Sequence, residues 1–220
     1  KPGEPPRLLR SNILQIAATC LTAGAVLTVM LFAQGALSAE AFLLLGLVVL
    51  MGLAYAIPPL RLAYSGYGEL IMAVLLANMT PALALMLQTG ELHRLIALIT
   101  FPLTFLYLAT HLAISMQHYA EEERKGRKTM LVRMGWQRGM SFHNLLILLA
   151  FLLMGAAALL GLPWRLTWPG LLALPVGLFQ IWQVVAIMNG APTRWRLLEL
   201  TAGATLALTV YFLNFALWGG

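Results

Sequence analysis

The stretch Glu40-Ala-Phe-Leu-Leu-Leu-Gly-Leu-Val-Val-Leu-Met-Gly-Leu-Ala-Tyr-Ala-Ile57 carries no charge after Glu40, and the next charged residue is Arg61. About 20 mostly apolar residues are enough for a helix to cross the hydrocarbon core of a bilayer. The uncharged run from Ala41 to Leu60 has that length. Comparable runs recur to the end of the chain. Reading for apolar length and for breakers predicts seven spans, at about 12–34, 40–57, 68–88, 95–118, 142–161, 168–188 and 198–218. Gly24, Gly46, Pro81, Pro102, Gly155 and Pro175 fall inside them, as membrane helices tolerate when their neighbours re-satisfy the backbone. The expected fold is an all-α integral membrane bundle, one transmembrane domain over 1–220.

The whole composition agrees. Of 220 residues 60% are hydrophobic and 10% charged, and the mean hydropathy is +0.83. Soluble domains carry about 25% charged residues. A secreted disulfide scaffold, a disordered tail and an ordinary soluble enzyme are excluded. The single cysteine, Cys20, lies in an apolar run and supports neither an intrachain disulfide nor a cysteine metal site. The net charge of +6 reads as orientation and not as nucleic-acid binding, because cytoplasmic loops collect Lys and Arg. Counted over alternating spans, Lys1, Arg7, Arg10, Arg61, Arg124, Lys125, Arg127, Lys128, Arg133, Arg138, Arg194 and Arg196 fall on one side. Only Arg94 and Arg165 fall on the other. The N-terminus and the basic loops are therefore expected in the cytoplasm of a cell bounded by this membrane, and the C-terminus outside. Trp164, Trp168 and Trp218 at outer ends, and Trp195 at an inner one, read as interfacial anchors. The chain starts at Lys1, and its first ten residues are polar and proline-rich, unlike a signal peptide. An upstream portion is expected.

The chemically informative stretch is His111-Leu-Ala-Ile-Ser-Met-Gln-His-Tyr-Ala-Glu-Glu-Glu-Arg-Lys-Gly-Arg-Lys-Thr129. On one continuous helix, positions 111, 115, 118 and 122 lie at about 0°, 40°, 340° and 20°. His111, Ser115, His118 and Glu122 then form a polar stripe at the inner end of an apolar helix. Ionisable residues inside a span are costly and face the bundle interior or a wet cavity. From spacing alone two readings stand equally. One is a snorkelling helix end with a solvated loop, in which Glu121 and Lys125 pair at i,i+4. The other is a magnesium–diphosphate site, in which carboxylates hold a hard cation that also binds phosphates and cations neutralise the leaving group.

Two longer patterns tip the balance. The run His118-Tyr-Ala-Glu-Glu-Glu-Arg-Lys-Gly-Arg-Lys-Thr-Met-Leu-Val-Arg-Met-Gly135 resembles the second aspartate-rich motif of the UbiA superfamily of intramembrane prenyltransferases, approximately D-x-x-x-D-x-x-x-G-x-R-T-L-x-V-x-x-G. Tyr55-Ala-Ile-Pro-Pro-Leu-Arg-Leu-Ala-Tyr-Ser-Gly-Tyr-Gly-Glu-Leu70 resembles that family's Y-S-x-P-P-x-R-x-K-x-x-G-x-G-E-L segment on the same inner face. Gln88-Thr-Gly90 is similar to the menaquinone-pathway branch over three residues. The resemblance implies helices three to nine of a nine-helix fold, with Lys1-Pro2 just after the position of a first motif, N-D-x-x-D-x-x-x-D.

The resemblance also implies the activity: transfer of a polyprenyl group from its diphosphate to an aromatic quinone precursor, with Mg²⁺. Glu122 and Glu121 would hold the metal. Arg61, Arg124, Arg127 and Lys128 would stabilise the diphosphate, and the Tyr55 ring the allylic cation. His118, counted with Tyr55 and Arg61 among the catalytic residues, takes the place of the first aspartate of the second motif, while His111, Ser115 and Asn78 are expected to line the pocket. All eight acidic residues are Glu, and neutral His suits softer metals than Mg²⁺. A catalytically degenerate paralogue that binds isoprenoid lipid or a membrane partner is the alternative. A transporter ranks below both, because its midplane charges are not seen here. Asn78, Gln180, Gln183 and Asn214 also read as interhelical hydrogen-bonding residues, and His93 and His143 as solvated residues at helix edges. The sequence sets no oligomeric state.

Overall fold

The computed structural model describes residues 10–93 and 95–218; Lys1, Arg7 and Arg94 of the charge count lie outside them. All regular structure there is helical: α1 (Arg10–Ala33), α2 (Ala39–Ala56), α3 (Gly68–Val74), a π-helical stretch (Leu75–Met79), α4 (Thr80–Thr89), α5 (Ile96–Met116), α6 (Tyr119–Arg124), α7 (Met130–Met134), α8 (Trp136–Ala156), α9 (Trp164–Leu171), α10 (Leu174–Met188) and α11 (Trp195–Trp218). Among the described residues, seven helices or continuous helix runs are long and apolar enough to cross a membrane. This is a multi-pass membrane protein.

Local chemistry explains where the helices start and bend. Ser38 caps α2 by accepting from the Ala41 N–H at 3.2 Å. Between α3 and α4, Pro81 has no N–H to offer the preceding turn, and the helix widens into the π stretch. The Thr80 N–H and hydroxyl both donate to the Leu75 carbonyl, the hydroxyl at 2.8 Å. Asn78 lies in this stretch, half-buried. The fifth span begins at Trp136 rather than near Phe142, because the helix starts directly after Gly135 and its polar first turns stay helical.

Helix α5 is the centre of the bundle. Its Leu106, Leu112 and Met116 are buried with Leu146 and Ile147 of α8 and Leu198 and Ala202 of α11 in one apolar core. Small residues set the spacing between helices. At Gly177 a Cβ would come within 2.8 Å of Phe151 Cε2, the kind of close approach that drives association where lipid tails are as apolar as the side chains. Helix α1 lies at the edge beside α2, with its apolar residues facing outward.

A polar seam runs through α8, α10 and α11. The Gln180 amide NH₂ lies 2.8 Å from His143 Nε2, and the Thr205 hydroxyl donates to Gln180 Oε1 at 3.2 Å. Since Gln180 uses its oxygen for Thr205, it turns its NH₂ to an unprotonated Nε2. The His143 Nδ1–H then donates to Asn144 Oδ1 at 3.0 Å. His143 is fully buried, which corrects the expectation of a solvated helix edge. Its partner is 37 positions away, so no local pattern announces it. Gln183 similarly donates to the Thr201 hydroxyl at 3.0 Å.

Candidate active site

Three connections meet at one end of the bundle. Two of them, the 57–67 loop with the first turn of α3 that follows it and the 117–135 segment, are held by two polar contacts. The Met130 N–H donates to Glu69 Oε1 at 3.0 Å, and Arg133 Nη1 donates to the Ser65 carbonyl at 2.9 Å. The third connection, 189–194, joins them through an aromatic cluster in which Trp136 packs against Tyr119 at 5.3 Å and edge-on to Trp195 at 6.1 Å. Trp195 is thus part of this packing. At the opposite end Leu37, Ala41 and Met86 pack together, and a groove between α9 and α11 carries Arg165, Trp168 and Tyr211. That groove shares no residue with the motif loops.

Glycine makes the close contact possible. A Cβ on Gly66, whose φ is +83°, would sit 2.0 Å from Arg133 Cδ, and one on Gly68 would sit 2.9 Å from the Ala63 backbone. The Arg133 guanidinium lies 4.5 Å from the centre of the Tyr67 ring, the range of a cation–π contact. Arg61, itself at φ 40°, adopts a left-handed conformation that costs a non-glycine residue about 1–2 kcal/mol. Its guanidinium lies 5.9 Å from the Tyr64 ring centre, and the side chain is exposed. Tyr55 is half-buried in the last turn of α2.

The polar stripe does not lie on one continuous helix. Helix α5 stops at Met116, and a tight turn brings the His118 N–H to the Ser115 carbonyl at 3.1 Å before α6 begins. His111 and Ser115 are half-buried on α5, where the His111 ring lies 5.4 Å from Tyr107. His118 is exposed, and its Nε2 pairs with the Gln117 amide at 3.0 Å. Glu122 is half-buried and accepts the Thr129 hydroxyl at 3.0 Å. Thr129 in turn caps α7 by accepting from the Val132 N–H.

Glu121 pairs with Lys125 in an exposed i,i+4 contact. That hydrogen bond and charge hold its carboxyl below the ordinary carboxylate range. Tyr119 donates to Glu123 at 3.2 Å. Burial first, and then this bond, push its phenol above its ordinary value. Arg124, Arg127 and Lys128 are exposed.

Among the described residues no three His, Cys, Asp or Glu side chains converge on a metal position. Mg²⁺ commonly takes only one or two protein carboxylates and completes its shell with water and substrate phosphates. The oxygen donors Glu122 and Glu121 fit that demand. His118, a nitrogen donor engaged with Gln117, does not. Sequence reasoning singled out neither Glu69 nor Arg133 for a role, although both stand inside the quoted motif segments. The missing information was the contact between segments.

No solved structure matches the chain. The chain is 30% identical over 93 residues to 1,4-dihydroxy-2-naphthoate octaprenyltransferase of Bacillus subtilis (strain 168), a match covering 42% of this chain and 30% of that protein. The chain matches well under half the length of that relative. The model of the UbiA prenyltransferase family matches residues 5–202, which include both motif loops and the helices that carry them. By that span, the chain belongs to the UbiA prenyltransferase family.

Proposed function

We propose that the protein transfers a polyprenyl group from its diphosphate to an aromatic acceptor inside the membrane, and that the acceptor is a quinone precursor of the dihydroxynaphthoate type. The observation that carries the reading is the docking of the 57–67 loop, through Ser65 and Arg133, and of the α3 start, through Glu69 and Met130, onto the 117–135 segment at one end of an apolar bundle. Family membership and the naphthoate octaprenyltransferase relative support it. An apolar helix bundle suits the prenyl chain, and the polar mouth suits the diphosphate. The 12-to-2 distribution of basic residues supports placing that mouth in the cytoplasm.

In this reading Arg61, Arg124, Arg127 and Lys128 bind and orient the diphosphate and stabilise the charge that grows on it as the allylic C–O bond breaks. The electron pair leaves with the diphosphate. The Tyr55 ring face stabilises the allylic cation. An aromatic carbon of the acceptor then attacks, forming the C–C bond, and the ring loses its proton. His111, Ser115 and Asn78 bound the acceptor side of the pocket. Prenyltransferases of this family generally need a divalent metal. Glu122 and Glu121 would hold it, and Mg²⁺ there would neutralise diphosphate charge.

The alternative, a degenerate paralogue that binds isoprenoid lipid, draws on His118: its exposed ring bonds to Gln117 and stands where the family pattern has aspartate. One experiment separates the two. In a Mg²⁺-dependent transfer assay with the full-length protein, Glu122→Gln should lower turnover by about 10²–10³, as losing one preorganised stabilising group does. Folding should be nearly unaffected. His118→Asp should preserve or raise activity. A protein that binds prenyl diphosphate but transfers nothing, and is indifferent to Glu122→Gln, is the paralogue.

A further inference from the structure

We infer that Glu69 is a positioning residue, whose carboxylate fixes the Thr129–Glu122 turn against the start of α3. The inference rests on the prenyl-transfer reading for its kinetic consequence, but its structural part does not. Glu69 is only 9% exposed. One oxygen accepts the Met130 N–H, 61 positions along the chain, and the other, Oε2, is buried without a hydrogen-bond partner. Burying an ionisable group with one oxygen unpaired is costly, and plain helix packing does not require it.

What the retained oxygen accomplishes is specific. Met130 is the first residue of α7, and its N–H has no acceptor inside that helix. Glu69 supplies one from α3. The neighbouring Thr129 caps the same helix and donates its hydroxyl to Glu122. A single peptide therefore separates the atom Glu69 holds from the residue that orients Glu122. Arg133 is the return strap, one turn further on: it bonds the Ser65 carbonyl, lies over Tyr67 and covers Gly66. The Gly-x-Gly-Glu run from Gly66 to Glu69 thus serves to admit Arg133 and to bring Glu69 under α7.

The test compares Glu69→Gln, which keeps a carbonyl acceptor for Met130, with Glu69→Ala, which removes it. Arg133→Gln is examined in parallel. The protein is reconstituted in lipid nanodiscs. Limited trypsin cleavage at the exposed Arg127 and Lys128 reports the hold on the segment. The expected result is faster cleavage, by about tenfold or more, for Glu69→Ala, as loss of a hydrogen bond to a charged group implies. Arg133→Gln should also speed cleavage, and Glu69→Gln should stay within about twofold of wild type. In the transfer assay Glu69→Ala should lower kcat more than it changes KM for the prenyl diphosphate, and Glu69→Gln should restore kcat. If Glu69→Ala fails to assemble, the Arg133→Gln cleavage rate and the Glu69→Gln kinetics decide. Unchanged cleavage in Glu69→Ala and Arg133→Gln overturns the inference. So does Glu69→Gln with wild-type cleavage and a lost kcat, which would make the charge the active feature. A wild type that transfers nothing defeats the prenyl-transfer reading alone, and the cleavage rates then decide the positioning.

Discussion

Replacing Gln180 with Leu is expected to destabilise the bundle through one imidazole. Leu has nearly the volume of Gln, so packing among α8, α10 and α11 is kept while the polar seam is cut. Two contacts go: the amide to His143 Nε2 at 2.8 Å and the Thr205 hydroxyl to Gln180 Oε1 at 3.2 Å. Thr205 keeps a partner in the Thr201 carbonyl at 2.8 Å, so its loss is small. His143 keeps only Asn144, and its fully buried Nε2 is left bare. Interhelical hydrogen bonds in membrane proteins average about 0.6 kcal/mol, and an orphaned buried polar atom costs about 1–3 kcal/mol. The sum is about 2–4 kcal/mol. Equilibrium unfolding in mixed detergent micelles measures it. A double variant, His143→Phe with Gln180→Leu, should cost less than the two single changes added together, because the second change removes the orphan left by the first. A loss under about 0.5 kcal/mol for Gln180→Leu, with an additive cycle, would refute the reasoning.

Two further outcomes follow from the motif loops. Gly68→Ala should cost about 1–3 kcal/mol and speed tryptic cleavage of the 124–128 stretch, since its Cβ would lie 2.9 Å from Ala63 backbone atoms that have no rotamer to swing away; the same unfolding and cleavage experiments check it. The Glu121 carboxyl is lowered by its bond and charge with Lys125, so its contribution is fully present above the ordinary carboxylate value and is lost as pH falls through the lowered one. Titration followed by the carboxylate infrared band should show this, and Lys125→Met should return Glu121 toward its ordinary value.

The spans were legible because apolar length is a property of each segment alone: the uncharged run from Ala41 to Leu60 announces α2 without help from any neighbour. The inner loops were legible because the residues of each stand close together in the chain. Features made by contact between segments were not. His143 read as solvated because Gln180 lies on another helix. Glu69 drew no reading of its own within its motif, because its place beneath Met130 is set only by tertiary packing. The stripe from His111 to Glu122 is interrupted for a local reason. Helical periodicity cannot register the tight turn at Gln117 and His118 that ends α5. The angular arithmetic assumes a continuous helix, which that turn interrupts.

The central claim, that the 57–67 loop and the 117–135 segment together receive the diphosphate end of a prenyl donor, is tested most directly by photo-crosslinking. A prenyl diphosphate analogue with its photoreactive group beside the diphosphate is bound to the full-length protein in membranes with Mg²⁺, irradiated, and mapped by peptide mass spectrometry. Labelling is expected in both segments, around Arg61 and around Arg124–Lys128, and is competed by unlabelled prenyl diphosphate. Competed labelling confined to the opposite end of the bundle, around Arg165 and Tyr211, would contradict it.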